Sequence, residues 1–354
     1  MSIQLSIDEA RRIAVRAALL DATPADDLES MVRGLAMLRV ELTTTVMPSA
    51  EHIAFNRLPS YGRGDADRAL ESGQLWERDW MLRTLDQLPL FLPSMRTWGV
   101  RTGSQEWMDK NGRFQRAILD RIEAEGPLTS KQIPDDADVP VTSTGWNNNR
   151  NVTIMLQCLH MSGDLAVVGR KGRFRIWDLS ERVWPSVDEV PSAEAQRIRS
   201  EQLLAAYGMA RDTPSLSRGE LAVMEPVGER VEIEGVPGQW RVDPAQLDRD
   251  FEGRTAILSP FDRLVFDRER LAHLFEYDYF LEMYKPAEQR IWGQFALPIL
   301  HEERLVGKVD ARTDPKTGVL TVNRVHEDEA FTPAMRESVD VEIAKLGAFL
   351  QLPG

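Results

Sequence analysis

Apolar positions recur at helical spacing along some stretches of the chain and alternate along others, and the change of period marks out the elements. The clearest stretch covers 113–178. Phe114, Ala117, Ile118 and Ile122 form one stripe and predict a helix over 113–124 that stops at Gly126-Pro127. Thr129-Ser130 opens a second, short helix, and Val152, Met155, Leu156 and Leu159 mark a third. Two apolar runs, 165–168 and 174–177, follow and are joined by Gly169-Arg170-Lys171-Gly172-Arg173. Glycines there supply the positive φ of a hairpin, and the cations suit phosphate. Three helices followed by a hairpin is the order of a winged helix, a variant of the helix-turn-helix.

Upstream, Ser6 with Glu9 three residues on is a capping box for a helix from Ile7 to about Leu20. Leu28, Met31, Val32 and Leu35 predict a second helix over 28–37. The run 38–46 is β-prone, and alternation sets Leu38, Val40 and Leu42 on one side with Arg39 and Glu41 on the other. The Trp-bearing stretches 75–76 and 80–83 are expected to be helical, ending near Pro93. Beyond a linker at 186–191, a helix over 193–207 ends on Gly208, and 216–221 suggests the remnant of a recognition helix. Residues 231–234 and 239–242 flank Gly235-Val236-Pro237-Gly238 as a hairpin. From Ile257 the character turns to strands at 279–285, 292–300, 305–312 and 319–325, then a last helix over 332–350 with Pro333 in its first turn. The expected fold is α+β: tandem winged-helix domains followed by a C-terminal antiparallel β-sheet or barrel domain. Its expected divisions are 1–108, which holds the candidate catalytic segment, 109–185, a degenerate third winged helix at 192–250, and 251–354.

Composition narrows the chemistry. With 42% hydrophobic and 28% charged residues the chain reads as a soluble protein, and no run of about 18 apolar residues is present. The N-terminus lacks the basic-then-apolar order of a secretory signal, so a cytoplasmic, nucleoid-associated location is expected. One cysteine, Cys158, excludes a disulfide within the chain and a Cys-rich metal site, and the five histidines have no metal-ligand spacing. No metal or organic cofactor is expected. A net charge of −13 argues against diffuse nucleic-acid affinity but not against a local basic face. Arg150, Arg170, Lys171, Arg173 and Arg175 cluster on the third helix and the wing, while the acidic excess lies elsewhere.

Several stretches together resemble the winged-helix DNA glycosylase family, AlkZ- and YcaQ-like. They include Leu258-Ser259-Pro260-Phe261-Asp262-Arg263-Leu264-Val265-Phe266-Asp267-Arg268, Tyr277-Asp278-Tyr279-Phe280-Leu281-Glu282-Met283-Tyr284, and Val306-Gly307-Lys308-Val309-Asp310. Ala206-Tyr207-Gly208, Gly235-Val236-Pro237-Gly238 and Trp177-Asp178-Leu179 also fit, so the resemblance spans nearly the whole chain. It implies a monofunctional enzyme that excises alkylated purines, including bulky N7-alkylguanines and interstrand crosslinks, from double-stranded DNA, acting as a monomer away from membranes. The family signature is Gln–apolar–Asp or Gln–apolar–Gln, and the matching positions here are Arg39, Val40 and Glu41. Glu41 keeps a carboxylate able to activate water; Arg39 adds a cation that modifies it, by holding a phosphate or by pairing with it. His52 and Asn56-Arg57-Leu58 match the neighbouring family segment, which makes His52 and Arg57 candidate DNA contacts alongside Arg150, Arg170, Lys171, Arg173 and Arg175.

Plainer readings stand beside these. Arg39 and Glu41 also read as a surface charge pair, the wing cations as solubilising residues, and His52 as a structural hydrogen-bonding group. Tryptophans such as Trp146, Trp177 and Trp240 read as core, although an exposed one can stack on a base. Arg63-Gly64-Asp65 and the sequon Asn151-Val152-Thr153 are chance matches in a cytoplasmic protein. The rival functions are a non-catalytic DNA-binding or regulatory protein that has lost the signature, and a protein-interaction module.

Overall fold

The computed structural model describes residues 3–42, 45–141, 150–212 and 223–352. It divides into two compact units: 1–66 together with 197–354, and 67–196. In the first unit the N-terminal segment shares its core with residues from Met209 onward.

In the first unit the helix Ile7–Ala17 is capped by Ser6, whose Oγ accepts from Glu9 N, while the Glu9 carboxylate accepts from Ser6 N at 2.8 Å. Its apolar side, with Ala10, Ile13 and Ala14, packs into one core with Met209, Val231, Trp240, Leu264, Leu271 and Leu274. The short strand Ile3–Leu5 joins that core by pairing in parallel with Glu229–Ile233, Ile3 opposite Val231. Glu229–Ile233 and Trp240–Val242 form the expected hairpin, and Met209–Arg211 completes the four-stranded sheet. The candidate recognition-helix remnant at 216–221 and Trp146 lie outside the described residues.

A second sheet runs Thr255–Ile257, Ala296–His301, Arg304–Thr313, Leu320–Glu327 in sequence order, all antiparallel. It is an open sheet rather than a barrel. The helix Pro333–Leu350 begins on the N-cap Thr332 and brings Phe349 to within 4.9 Å of Phe55, ring to ring. Residues 279–285, expected as a strand, carry no strand pairing. Tyr277 and Tyr279 tether that segment sideways instead, their hydroxyls donating to Gly307 O at 2.7 Å and Ala296 O at 2.6 Å.

The second unit begins with a surprise: 75–84 is a hairpin of strands Leu75–Arg78 and Met81–Thr84, not a helix. All eight strand residues are buried on both faces, so the alternation that identifies a half-exposed strand is missing from the sequence. Farther along come the helix Gly112–Glu125, the strand Leu128–Thr129, a single 3₁₀ turn Ser130–Gln132 in place of the expected second helix, and the helix Asn151–Ser162. The strands Leu165–Lys171 and Phe174–Leu179 close the order, with Leu128 returning to pair opposite Trp177.

Candidate active site and basic tip

The candidate catalytic segment lies in the first unit, directly after the strand Leu38–Arg39. Leu38 and Val40 are buried at 0% and 5% exposure, whereas Arg39 and Glu41 keep partial access to solvent, as period-two alternation requires. The backbone around Glu41 is pinned by Ser49, the first residue of the helix Ser49–Phe55. Its Oγ donates to Arg39 O at 2.7 Å and accepts from Glu41 N at 2.7 Å, and its own N–H donates to Glu41 O at 3.0 Å. Ser49 is buried at 2% exposure, so these bonds form away from competing water.

Arg39 extends over two aromatic rings, its guanidinium carbon 4.2 Å from the centroid of Phe266 and 5.4 Å from that of Phe261. Both rings belong to the 258–268 stretch. The arrangement seats the cation against π-electron density, an interaction of about 0.5–2 kcal/mol depending on desolvation.

His52 and Arg57, candidate DNA contacts by sequence, are both 1% exposed and cannot reach a phosphate in this fold. Burial, the largest influence on His52, pushes its imidazole down to about 4, which leaves it neutral near pH 7. Arg57 spends its donors inside: Nε to Ala18 O at 2.7 Å, Nη1 to Ile53 O at 3.0 Å, and a two-pronged pair with Asp262. Asn56 Nδ2 donates to Ile257 O at 2.8 Å, and Arg254 Nε to Asp21 O at 2.9 Å. This polar seam binds the helix Ser49–Phe55 and its C-terminal turn to 254–262, and it corrects the DNA-contact reading of His52 and Arg57.

The second unit sorts the basic cluster into two groups. Arg170 and Arg175, opposite each other on the hairpin strands, both pair with Glu77, and Arg170 Nη1 also reaches Asp67 Oδ1 at 2.6 Å. Their side chains are 4% exposed, so neither is presented to DNA; both balance a buried carboxylate. Burial lowers the Arg175 guanidinium below its ordinary value, opposed by the Glu77 charge. Lys171 and Arg173, by contrast, are exposed on either side of Gly172, whose φ of +61 makes the tip. Arg150 is exposed at the N-cap of the helix Asn151–Ser162. Sequence reasoning missed Lys131, exposed and 4.1 Å from the centroid of Phe174, and the hairpin turn that carries Trp80. The Asp79-Trp80 pair between two buried runs was the available signal for that turn.

Cys158 is buried, and burial pushes its thiol up to about 11. Among the described residues, no group of three or more His, Cys, Asp or Glu side chains is arranged to hold a metal ion, and no helix is long and apolar enough to cross a membrane.

Comparison with known proteins adds two findings. The family model described as DNA glycosylase AlkZ-like matches residues 35–349. The fold is similar to that of the Streptomyces sahachiroi DNA glycosylase AlkZ, with a TM-score of 0.63 at 17% identity, covering 99% of this chain and 98% of that one.

Proposed function

The chain belongs to the AlkZ-like DNA glycosylase family, and from that premise we propose that it is a DNA-repair glycosylase that excises alkylated purines by water attack at C1′. The observation that carries the reading is local: Ser49 fixes the backbone of Glu41 by two hydrogen bonds and that of Arg39 by a third, while Glu41 keeps partial access to solvent. A carboxylate in that state can take a proton from water and face a developing positive charge.

An N7-alkylguanine is a cationic leaving group and requires little acid assistance. The C1′–N9 bond breaks with its electron pair going to the base, which becomes neutral. Water oxygen bonds to C1′, and Glu41 accepts the water proton. At about 4 Å, one carboxylate attracts the cationic sugar by about 4 kcal/mol at an effective dielectric of about 20. Arg39 stands where the family signature has Gln; its seat on Phe266 and Phe261 holds the guanidinium by its π contacts. Lys171 and Arg173 at the basic tip, and Arg150 at the head of the helix Asn151–Ser162, supply phosphate contacts. Residues 112–179 serve as the winged helix that presents them, on the strength of their element order and the return of Leu128–Thr129 to the hairpin. The substrate is double-stranded DNA carrying bulky N7 adducts or interstrand crosslinks, engaged by a monomer in the cytoplasm.

The test is incubation with duplexes carrying N7-methylguanine or a nitrogen-mustard crosslink, followed by alkaline cleavage at abasic sites. Strand scission by the native chain that is lost in Glu41→Ala and Glu41→Gln supports the reading. Salt-sensitive binding without scission favours the non-catalytic DNA-binding alternative, for which Arg39 in the signature position is the specific observation.

A further inference from the structure

Trp80 occupies a place where tight turns favour glycine. Arg78 pairs with Met81 across the hairpin, so only Asp79 and Trp80 reverse the chain, with φ of +50° and +62°. Positive φ at both central residues is the mark of a type I′ turn, which favours Asn-Gly or Asp-Gly. A tryptophan there is strained, and such strain persists where the surroundings hold it for a purpose. Burial of the ring does not supply that purpose, since Trp80 is 37% exposed.

One face of the indole is covered by Arg175, whose guanidinium carbon is 3.5 Å from the ring centroid. Arg175 is itself fixed, paired with Glu77 and donating to Gln157 Oε1 at 2.7 Å. The exposed surface of Trp80 is therefore the side away from a rigid cation. Arg173 sits in the hairpin turn two residues before Arg175, so the cation under the ring belongs to the same hairpin whose tip carries Lys171 and Arg173. A flat, partly exposed aromatic ring thus packs on the hairpin whose tip carries the exposed cations, and single-strand binders pair aromatic rings with cations to hold base and backbone.

We infer that Trp80 is a stacking platform for a nucleobase that has left the helix stack, on the strand whose phosphates meet Lys171 and Arg173. Its choice of ligand rests on the DNA-glycosylase reading. The cation behind the ring sets the kind of base: a second positive charge on the open face would be repelled by Arg175. The platform takes a neutral base, opposite or beside the lesion, and not the cationic alkylpurine itself.

The experiment uses the full chain and a duplex with 2-aminopurine opposite a tetrahydrofuran abasic analogue, so that no catalysis is needed. Trp80→Asn removes the ring at a position where asparagine tolerates positive φ, and Trp80→Phe keeps an aromatic surface. The Trp80→Asn variant is expected to melt no lower than the native chain and to bind this duplex about 5- to 100-fold more weakly. Its complex is expected to emit more brightly from 2-aminopurine, with Trp80→Phe recovering part of both effects. Equal affinity and equal emission for native chain and Trp80→Asn would overturn the platform, as would weaker binding with unchanged emission or no binding by the native chain. Release of N7-methylguanine is measured in parallel. Excision with no Trp80 effect sinks the platform alone, whereas a Trp80 effect without excision sinks the glycosylase reading alone.

Discussion

Arg57 and Asp262 meet fork to fork, Nη1 to Oδ2 at 2.8 Å and Nη2 to Oδ1 at 2.9 Å, with neither side chain exposed. Asp262 also accepts from Leu264 N at 3.1 Å, so the same carboxylate caps the short helix Arg263–Phe266. Removing one partner strands the other charge in the interior, at a cost of about 3–5 kcal/mol. Asp262→Asn should therefore lower the urea midpoint sharply. The double variant Arg57→Met with Asp262→Leu should recover part of the loss, because it removes both members of the pair but leaves Ala18 O, Ile53 O and Leu264 N without their side-chain partners.

His52 gives stability a pH dependence of defined sign. In the folded chain its pKa is pushed to about 4, while an unfolded chain protonates near the ordinary imidazole value of 6.5. Between those limits the unfolded state binds more protons, so stability rises with pH across the window and is lost as pH falls through it. The full effect is about 3 kcal/mol. Thermal melts from pH 7 to pH 4 should show it, and His52→Gln should flatten that part of the profile.

Ser49→Ala tests whether the pinning of Glu41 matters to chemistry. The change leaves Glu41 N–H and Arg39 C=O without their side-chain partner, which destabilises by about 1–3 kcal/mol. Single-turnover release of N7-methylguanine should slow about ten-fold with KM unchanged, equivalent to about 1.4 kcal/mol of transition-state stabilisation. A variant that is less stable but equally fast would show that Ser49 serves folding only.

The two groups of basic residues should separate in salt titrations. Lys171→Ala and Arg173→Ala should each reduce the slope of log K against log salt by about one, with little change in melting temperature. Arg170→Ala should instead destabilise the fold by about 3 kcal/mol, because Glu77 loses a partner within the interior. Equal salt slopes for all three variants would remove the distinction.

How much of this was written legibly in the sequence depends on the range of the interaction. The cap at Ser6, the stop at Gly126 and the tip at Gly172 depend on neighbours within a few residues, and each was readable. The alternation of Leu38, Arg39, Val40 and Glu41 was readable for the same reason. The partners that decide the role of a charge lie far away: Glu77 for Arg170 and Arg175, Asp262 for Arg57. An arginine in a basic run looks the same whether it faces solvent or a buried carboxylate. The strand Ile3–Leu5 was missed because only its pairing with Glu229–Ile233 makes it a strand. Ser49 gave no signal, since its role is to bridge two backbone groups eight and ten residues upstream.

That parallel pairing of Ile3–Leu5 with Glu229–Ile233 has a consequence for how the protein is made. The strand Ile3–Leu5 cannot find its sheet until more than two hundred further residues have been synthesised, whereas 67–196 is continuous and can fold as soon as it emerges. Limited proteolysis of stalled nascent chains should find 67–196 protected while the segment around Ile3–Leu5 is still cut. A protease acting on Ile3–Leu5 would meet an open window that closes only once Glu229–Ile233 has emerged.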